Sequence, residues 1–197
     1  MGLQTQEDGG SLSQMRLFIG IALVAETADA LTKVREQFEP GSADLRWSRP
    51  DGWHVTLQFL GNTTEERAAC VVEKLQAIRA MRAPVRVEGL GFFERAGIFW
   101  AGVVQTSELL ALQQKVTAAT RHCGFEPEAR SWNPHITLAR AKGRSATKAL
   151  APLRKAVERS KMDLRAGFTA AEFVLYESLP GPEGSRYEIK ATFSLDE

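Results

Sequence analysis

Hydrophobic residues along this chain switch between two spacings. Over Arg16 to Val24, Trp53 to Leu60, Val85 to Glu94, Ile98 to Val104, His135 to Arg140, Phe168 to Tyr176 and Arg186 to Phe193 they alternate or run together briefly, which predicts strands. Leu45 to Trp47 reads as a further short strand. Between these stretches apolar residues return every three or four positions. Leu31, Val34 and Phe38 share one face of a helix over Thr27 to Phe38, stopped by Pro40 and Gly41. Thr64 is placed to cap a second helix running to about Met81, Ser107 a third that stops near Gly124, and Ser145 a fourth that runs to about Lys161. Val85 to Glu94 and Ile98 to Val104 read as a hairpin around Ala96-Gly97. Phe168 to Tyr176 and Arg186 to Phe193 read as a last strand pair, joined by a Pro/Gly-rich turn.

The order repeats in register. Leu17-Phe18-Ile19 and Ile98-Phe99-Trp100 stand 81 residues apart, as do Leu31 and Leu112, His54 and His135, and Thr64 and Ser145. Mixed strand and helix order recurs by accident in many chains, but a shared His-x-Thr-Leu string at His54 to Leu57 and His135 to Leu138 argues for internal duplication. The expected fold is therefore α+β: one bilobal domain over 15–197, with two antiparallel sheets flanking a central cleft and helices on the outer faces. A pseudo-two-fold axis would bring the two strings face to face. Residues 1–14, polar and Gly-rich, read as a disordered lead-in.

Strand alternation makes each string a chemical unit. His54 and Thr56 share one face while Val55 and Leu57 share the other; His135 and Thr137 pair in the same way against Ile136 and Leu138. One such histidine on a half-buried strand is usually a surface or satisfied core residue. Here two of only three histidines occupy matching elements. Imidazole titrates near neutrality, so one ring can take a proton while the other gives one, and each threonine hydroxyl can donate to a phosphate oxygen. Two histidines with no adjacent carboxylate or thiolate make a poor zinc site, so no metal or other cofactor is expected.

Composition changes the picture little. The 197 residues are 44% hydrophobic and 25% charged, ordinary for one compact domain. The net charge of +1 demands no polyanionic partner, so attraction to nucleic acid must come from local clustering. Residues 140–161 hold eight Lys or Arg against the single acid Glu158, either a track for an RNA backbone or a solvated helix face. Cys70 and Cys123 read as free thiols, which suggests a reducing cytoplasm. The apolar stretch Leu17 to Ala25 is too short to cross a membrane.

The residues around the strings carry a resemblance. Arg16 to Ile21, Trp53-His54-Val55-Thr56-Leu57-Gln58-Phe59-Leu60-Gly61, Asn133 to Arg140 and Phe173-Val174-Leu175-Tyr176-Glu177-Ser178 resemble the two-histidine phosphoesterase superfamily. Within it they are similar to the bacterial and archaeal RNA 2',3'-cyclic phosphodiesterase family, also called 2'-5' RNA ligase. The likeness runs from about Met15 to Leu195. It implies a bilobal fold and hydrolysis of RNA 2',3'-cyclic phosphate ends to 2'-phosphates, with 2'-5' joining as the same chemistry using a ribose hydroxyl. It implies His135 as the proton acceptor and His54 as the proton donor; the strings themselves do not order them. Thr56, Thr137 and Arg140 would hold the phosphate. Strict alternation puts Arg140 opposite His135, so either the strand bulges near Ala139 or Arg140 is a rim residue. Phe18 is read either as a base-stacking residue or as core. Competing readings are a non-catalytic module that binds RNA ends, or a phosphodiesterase on small cyclic nucleotides or 2'-5' oligonucleotides. Duplication removes the need for a second protomer, so a monomer without an obligatory protein partner is expected.

Overall fold

The alternating stretches form two curled antiparallel sheets, and the 3.6-period stretches cover their outer faces. The computed structural model describes residues 14–143, 145–182 and 184–196. The expected lead-in therefore lies outside the described residues, apart from Gln14, which opens the first strand. Sheet A has the order β3 (His54–Thr64), β1 (Gln14–Ala22), β8 (Glu172–Leu179), β9 (Arg186–Ser194). Sheet B has the order β2 (Leu45–Trp47), β6 (His135–Ala141), β5 (Ile98–Val103), β4 (Ala83–Phe93), β7 (Arg165–Ala170). The helices are α1 (Ala25–Phe38), α2 (Glu65–Gln76), α3 (Ser107–Arg121) and α4 (Ala146–Arg159). The fold is α+β and bilobal, as the repeat implied.

The lobes are not the two halves of the chain. α1 follows β1 of sheet A but packs on sheet B, where Phe38 meets Phe99 edge-on at 6.3 Å. α3 follows β5 of sheet B but reaches sheet A, where Thr120 Oγ1 donates to Gln58 Oε1 over 2.8 Å between two buried side chains. α2 and α4 stay with the sheet they follow. Leu17, Ile19, Ala101 and Ile136 belong to one continuous core of buried residues. The interlacing makes each half-chain bury part of its apolar face against the other, through α1 on sheet B and α3 on sheet A.

Several expectations are corrected. Phe168 to Tyr176 is two strands rather than one: β7 pairs with β4 in sheet B, and the chain crosses at Ala171 to enter sheet A as β8. α2 ends at Gln76 rather than near Met81, because Met81 and Arg82 pair with Asp196. Thr64 caps α2 as expected, accepting from Arg67 N at 3.4 Å. For α3 the cap is Thr106, not Ser107, with Leu109 N donating over 3.2 Å. Ser145 precedes α4 without a side-chain cap bond.

Cys70 and Cys123 are not free thiols. They form a disulfide from the middle of α2 to the residue just past the α3 C-cap, with Cα atoms 5.9 Å apart. Arg67 fastens the same junction, donating to Cys123 O and Gly124 O and lying 3.8 Å over the Phe125 ring. Sequence neighbours did not reveal the pair because two helices far apart in sequence meet only on sheet A. With the thiols joined, the cysteines no longer argue for a reducing compartment. No described helix is long and apolar enough to cross a membrane.

Candidate active site

β3 and β6 open with the two His-x-Thr strings and carry the same sequence of environments. In both, the first six residues run half-buried, buried, half-buried, buried, buried, exposed. The doubled buried step is a bulge. Along β6, Ala139 lies opposite Phe99 and Thr137 opposite Trp100, so Leu138 is the extra residue. Along β3, Gln58 lies opposite Ile19 and Thr56 opposite Gly20, so Leu57 is the extra one. A bulge shifts the alternation by one position. It turns Arg140 onto the face of His135 and Thr137, which resolves the parity conflict, and it turns Phe59 onto the face of His54 and Thr56.

The pairing also corrects the repeat register by one residue. Gly20 opposes Thr56 where Trp100 opposes Thr137, and Phe18 opposes Phe59 where Ile98 opposes Arg140. The strand carrying the histidine repeats at 81 and its partner at 80. Phe99 is therefore no counterpart of Phe18. Phe99 is fully buried on the helix side, while Phe18 lies under the cleft in a cluster with Val174 and Tyr176.

Each imidazole is held in one tautomer. His54 Nδ1 lies 2.8 Å from Gly52 O, and His135 Nδ1 lies 2.8 Å from Asn133 O. A carbonyl only accepts, so each Nδ1 donates and each neutral ring keeps Nε2 as its free acceptor. Aromatic rings fix the planes. Phe18 lies 4.6 Å from His54 and Tyr187 meets it edge-on at 5.0 Å; Phe93 meets His135 edge-on at 4.9 Å. Gly20 lets β1 and β3 approach closely beside His54: a Cβ there would stand 2.9 Å from Val55 O, with His54 Cδ2 in ordinary contact at 3.5 Å. Phe18 is 2% exposed, so it supports the His54 ring rather than offering a face to a base. Phe59, at 54%, is the open aromatic.

Burial and positive neighbours set the charges. His54 is pushed down to about 4, first by desolvation, then by Arg140 and His135, against the Gly52 carbonyl, which favours the imidazolium. His135 is also lowered, by desolvation and by Arg140, against Asn133 O. The Arg140 guanidinium is held below its ordinary value by desolvation and by Arg46 and Arg16, with Tyr187 acting the other way. Thr56 and Thr137 hydroxyls make no hydrogen bond among the described residues, so both are available to a ligand. No three His, Cys, Asp or Glu side chains converge among the described residues, so nothing there completes a metal site around the two imidazoles.

The LigT like Phosphoesterase family matches residues 21–100 and 103–187, which include both strings. The chain belongs to this family. A relative of this LigT-like phosphoesterase from Aeropyrum pernix, named RNA 2',3'-cyclic phosphodiesterase, is 30% identical over 176 residues, covering 83% of the chain and 96% of the relative. A Geobacillus stearothermophilus protein of the same name is 30% identical over 189 residues; the match covers 93% of the chain but 58% of that longer protein. In fold, the LigT-like chain is similar to Escherichia coli LigT crystallised with 3'-AMP, with a TM-score of 0.76 at 24% identity, covering 94% of the chain and all of that protein. A Thermus thermophilus protein gives 0.74 at 23% identity over 91% of the chain and 97% of its own.

Of the residues the sequence singles out, His54, His135 and Arg140 lie within one another's electrostatic reach, and Thr56 and Thr137 share the strand faces of the two histidines. The sequence had not marked Tyr187, Phe93, Trp100, Arg16 or Arg46 as neighbours of the site. A signal existed for the two arginines: both alternate with core residues on their strands, at Arg16 before Leu17 and at Arg46 between Leu45 and Trp47. The basic run of 140–161 contributes Arg140 to the cleft, while Arg154 ion-pairs with Glu94 at 2.8 Å on α4.

Proposed function

We propose that this protein hydrolyses RNA 2',3'-cyclic phosphate ends to 2'-phosphates, without a metal, by acid-base catalysis from His54 and His135. What supports the reading is the convergence on one cleft of two imidazoles in the same tautomer, each beside a free threonine hydroxyl, with Arg140 turned in by the β6 bulge. The names of the Aeropyrum and Geobacillus relatives point to the same substrate class.

In this reading His135 Nε2 takes a proton from water, and the water oxygen bonds to phosphorus. The bond from phosphorus to the ribose 3' oxygen breaks, and that oxygen takes the proton from His54 Nε2. Thr56, Thr137 and Arg140 hydrogen-bond the non-bridging oxygens as their charge grows. Two lowered imidazoles leave the empty cleft short of protons, so the acid acquires its proton only with the anionic substrate, whose charge favours imidazolium. The profile of kcat/KM reports the free protein and is therefore expected to be bell-shaped with its optimum below pH 6.5. The profile of kcat shifts upward. Ligation would place a ribose hydroxyl where the water stands.

The test is turnover of cyclic-ended oligonucleotides with the product phosphate position read directly. His54→Ala and His135→Ala are each expected to lower kcat by about a thousandfold with the fold intact by circular dichroism. Chelator leaves the rate unchanged. Full activity in the double variant sinks the mechanism, and tight binding without product favours an RNA-end binding module.

A further inference from the structure

Arg46 and Arg140 are direct cross-strand partners on β2 and β6, on the same face of sheet B. Arg46 stands between the buried Leu45 and Trp47, so it points away from the core and into the cleft. Like charges directly opposite one another destabilise a sheet pair. The fold adds a third: Arg16 on β1 lies on the Phe18 side of sheet A, and its charge, with that of Arg46, presses on Arg140. None of the three forms an ion pair among the described residues, whereas Arg35, Arg49, Arg154, Arg165 and Arg186 each have a carboxylate within 4.0 Å. Three unneutralised guanidiniums at one end of a cleft are costly without an anion, and one phosphate beside the imidazoles needs only Arg140.

We propose that Arg16 and Arg46 form a second phosphate subsite beside Arg140, which takes the phosphate on the 5' side of the terminal ribose. Its consequence is selection of an RNA chain end over a free nucleoside 2',3'-cyclic phosphate. The chemistry suits arginine, whose planar fork engages phosphate oxygens in pairs. The subsite rests on the functional reading above for the identity of the first phosphate.

Calorimetric binding of nucleoside 2'-monophosphate and nucleoside 2',5'-bisphosphate tests it without turnover. The bisphosphate is expected to bind at least about tenfold more tightly to the wild type. In the Arg16→Gln/Arg46→Gln double variant that ratio falls to near one through the bisphosphate alone, and raised salt shrinks it in the wild type. A wild-type ratio near one, a ratio unchanged in the variant, or equal weakening of both ligands overturns the subsite. The same pair of substrates as cyclic phosphates, with and without a 5'-phosphate, is followed in parallel. Absence of turnover with the binding ratio preserved overturns the hydrolytic reading and leaves the subsite standing.

Discussion

β3 and β6 present the same backbone, bulge and His-x-Thr face, yet they furnish unlike halves of a cleft. Where β6 places Arg140, β3 places Phe59; where β6 has Ala139, β3 has Gln58; where β5 fills the floor with Trp100, β1 has Gly20. The shared part fixes two imidazoles and two hydroxyls. The divergent part puts a guanidinium after the bulge of sheet B and an aromatic ring after that of sheet A. Geometry is common to both lobes because it follows from backbone pairing. Polarity differs because the outward position after each bulge is free of the core and open to any side chain.

The lobes differ most in their outer supports. Only the sheet A helices are stapled, by Cys70–Cys123 across a sequence separation of 53. Closing a loop of that length contributes about 4 kcal/mol in the chain-entropy account. Reductant, or a Cys70→Ser/Cys123→Ser variant, is expected to lower stability by up to that amount in denaturant unfolding, with a loss below about 0.5 kcal/mol contradicting a stabilising role.

The next comparison is between the two histidines. His54 is lowered to about 4 in the folded chain against 6.5, so between those pH values the unfolded chain binds more protons. Stability therefore rises with pH through that window and is lost as pH falls through it. The full effect is about 3 kcal/mol. His54→Gln is expected to flatten the dependence of stability on pH between 4 and 6.5 more than His135→Gln, whose ring is lowered but less enclosed. Equal flattening, measured by denaturant titration across pH, would remove the asymmetry.

Exchanging the residues after the bulges probes the walls directly. Arg140→Ala is expected to lower kcat/KM by about a hundredfold, with partial recovery in Arg140→Lys, while Phe59→Ala lowers it by less than about tenfold. Comparable losses at both positions would mean that Phe59 contributes as much as the guanidinium. A change on the floor acts on stability instead. Gly20→Ala sets a Cβ against the Val55 carbonyl and is expected to cost about 1–3 kcal/mol of stability with a shift of His54, read by thermal unfolding and the His54 ring resonances. Stability and resonances unchanged from wild type would show that β3 has room to give.

Much of this site was legible in the residues themselves. Period-two alternation put His with Thr on one face, because a strand turns its side chains by half a turn at each residue whatever lies beside it. The duplicated string predicted two facing lobes, and the helical stripe of Leu31, Val34 and Phe38 is buried as read. What depended on a partner strand was not legible. The bulges at Leu138 and Leu57 are defined by which hydrogen bonds the neighbouring strand leaves over, so the face of Arg140 and the one-residue shift between Phe18 and Phe99 emerged only on pairing. The same holds for Cys70 with Cys123, for the crossing at Ala171 and for the meeting of Arg16 and Arg46 with Arg140. The residues alone set which side chains share a face within an unbroken run of strand, as His54 with Thr56 and His135 with Thr137, a property local to the backbone. The tertiary structure alone decided which faces meet, because burial and pairing are settled between residues that are distant along the chain.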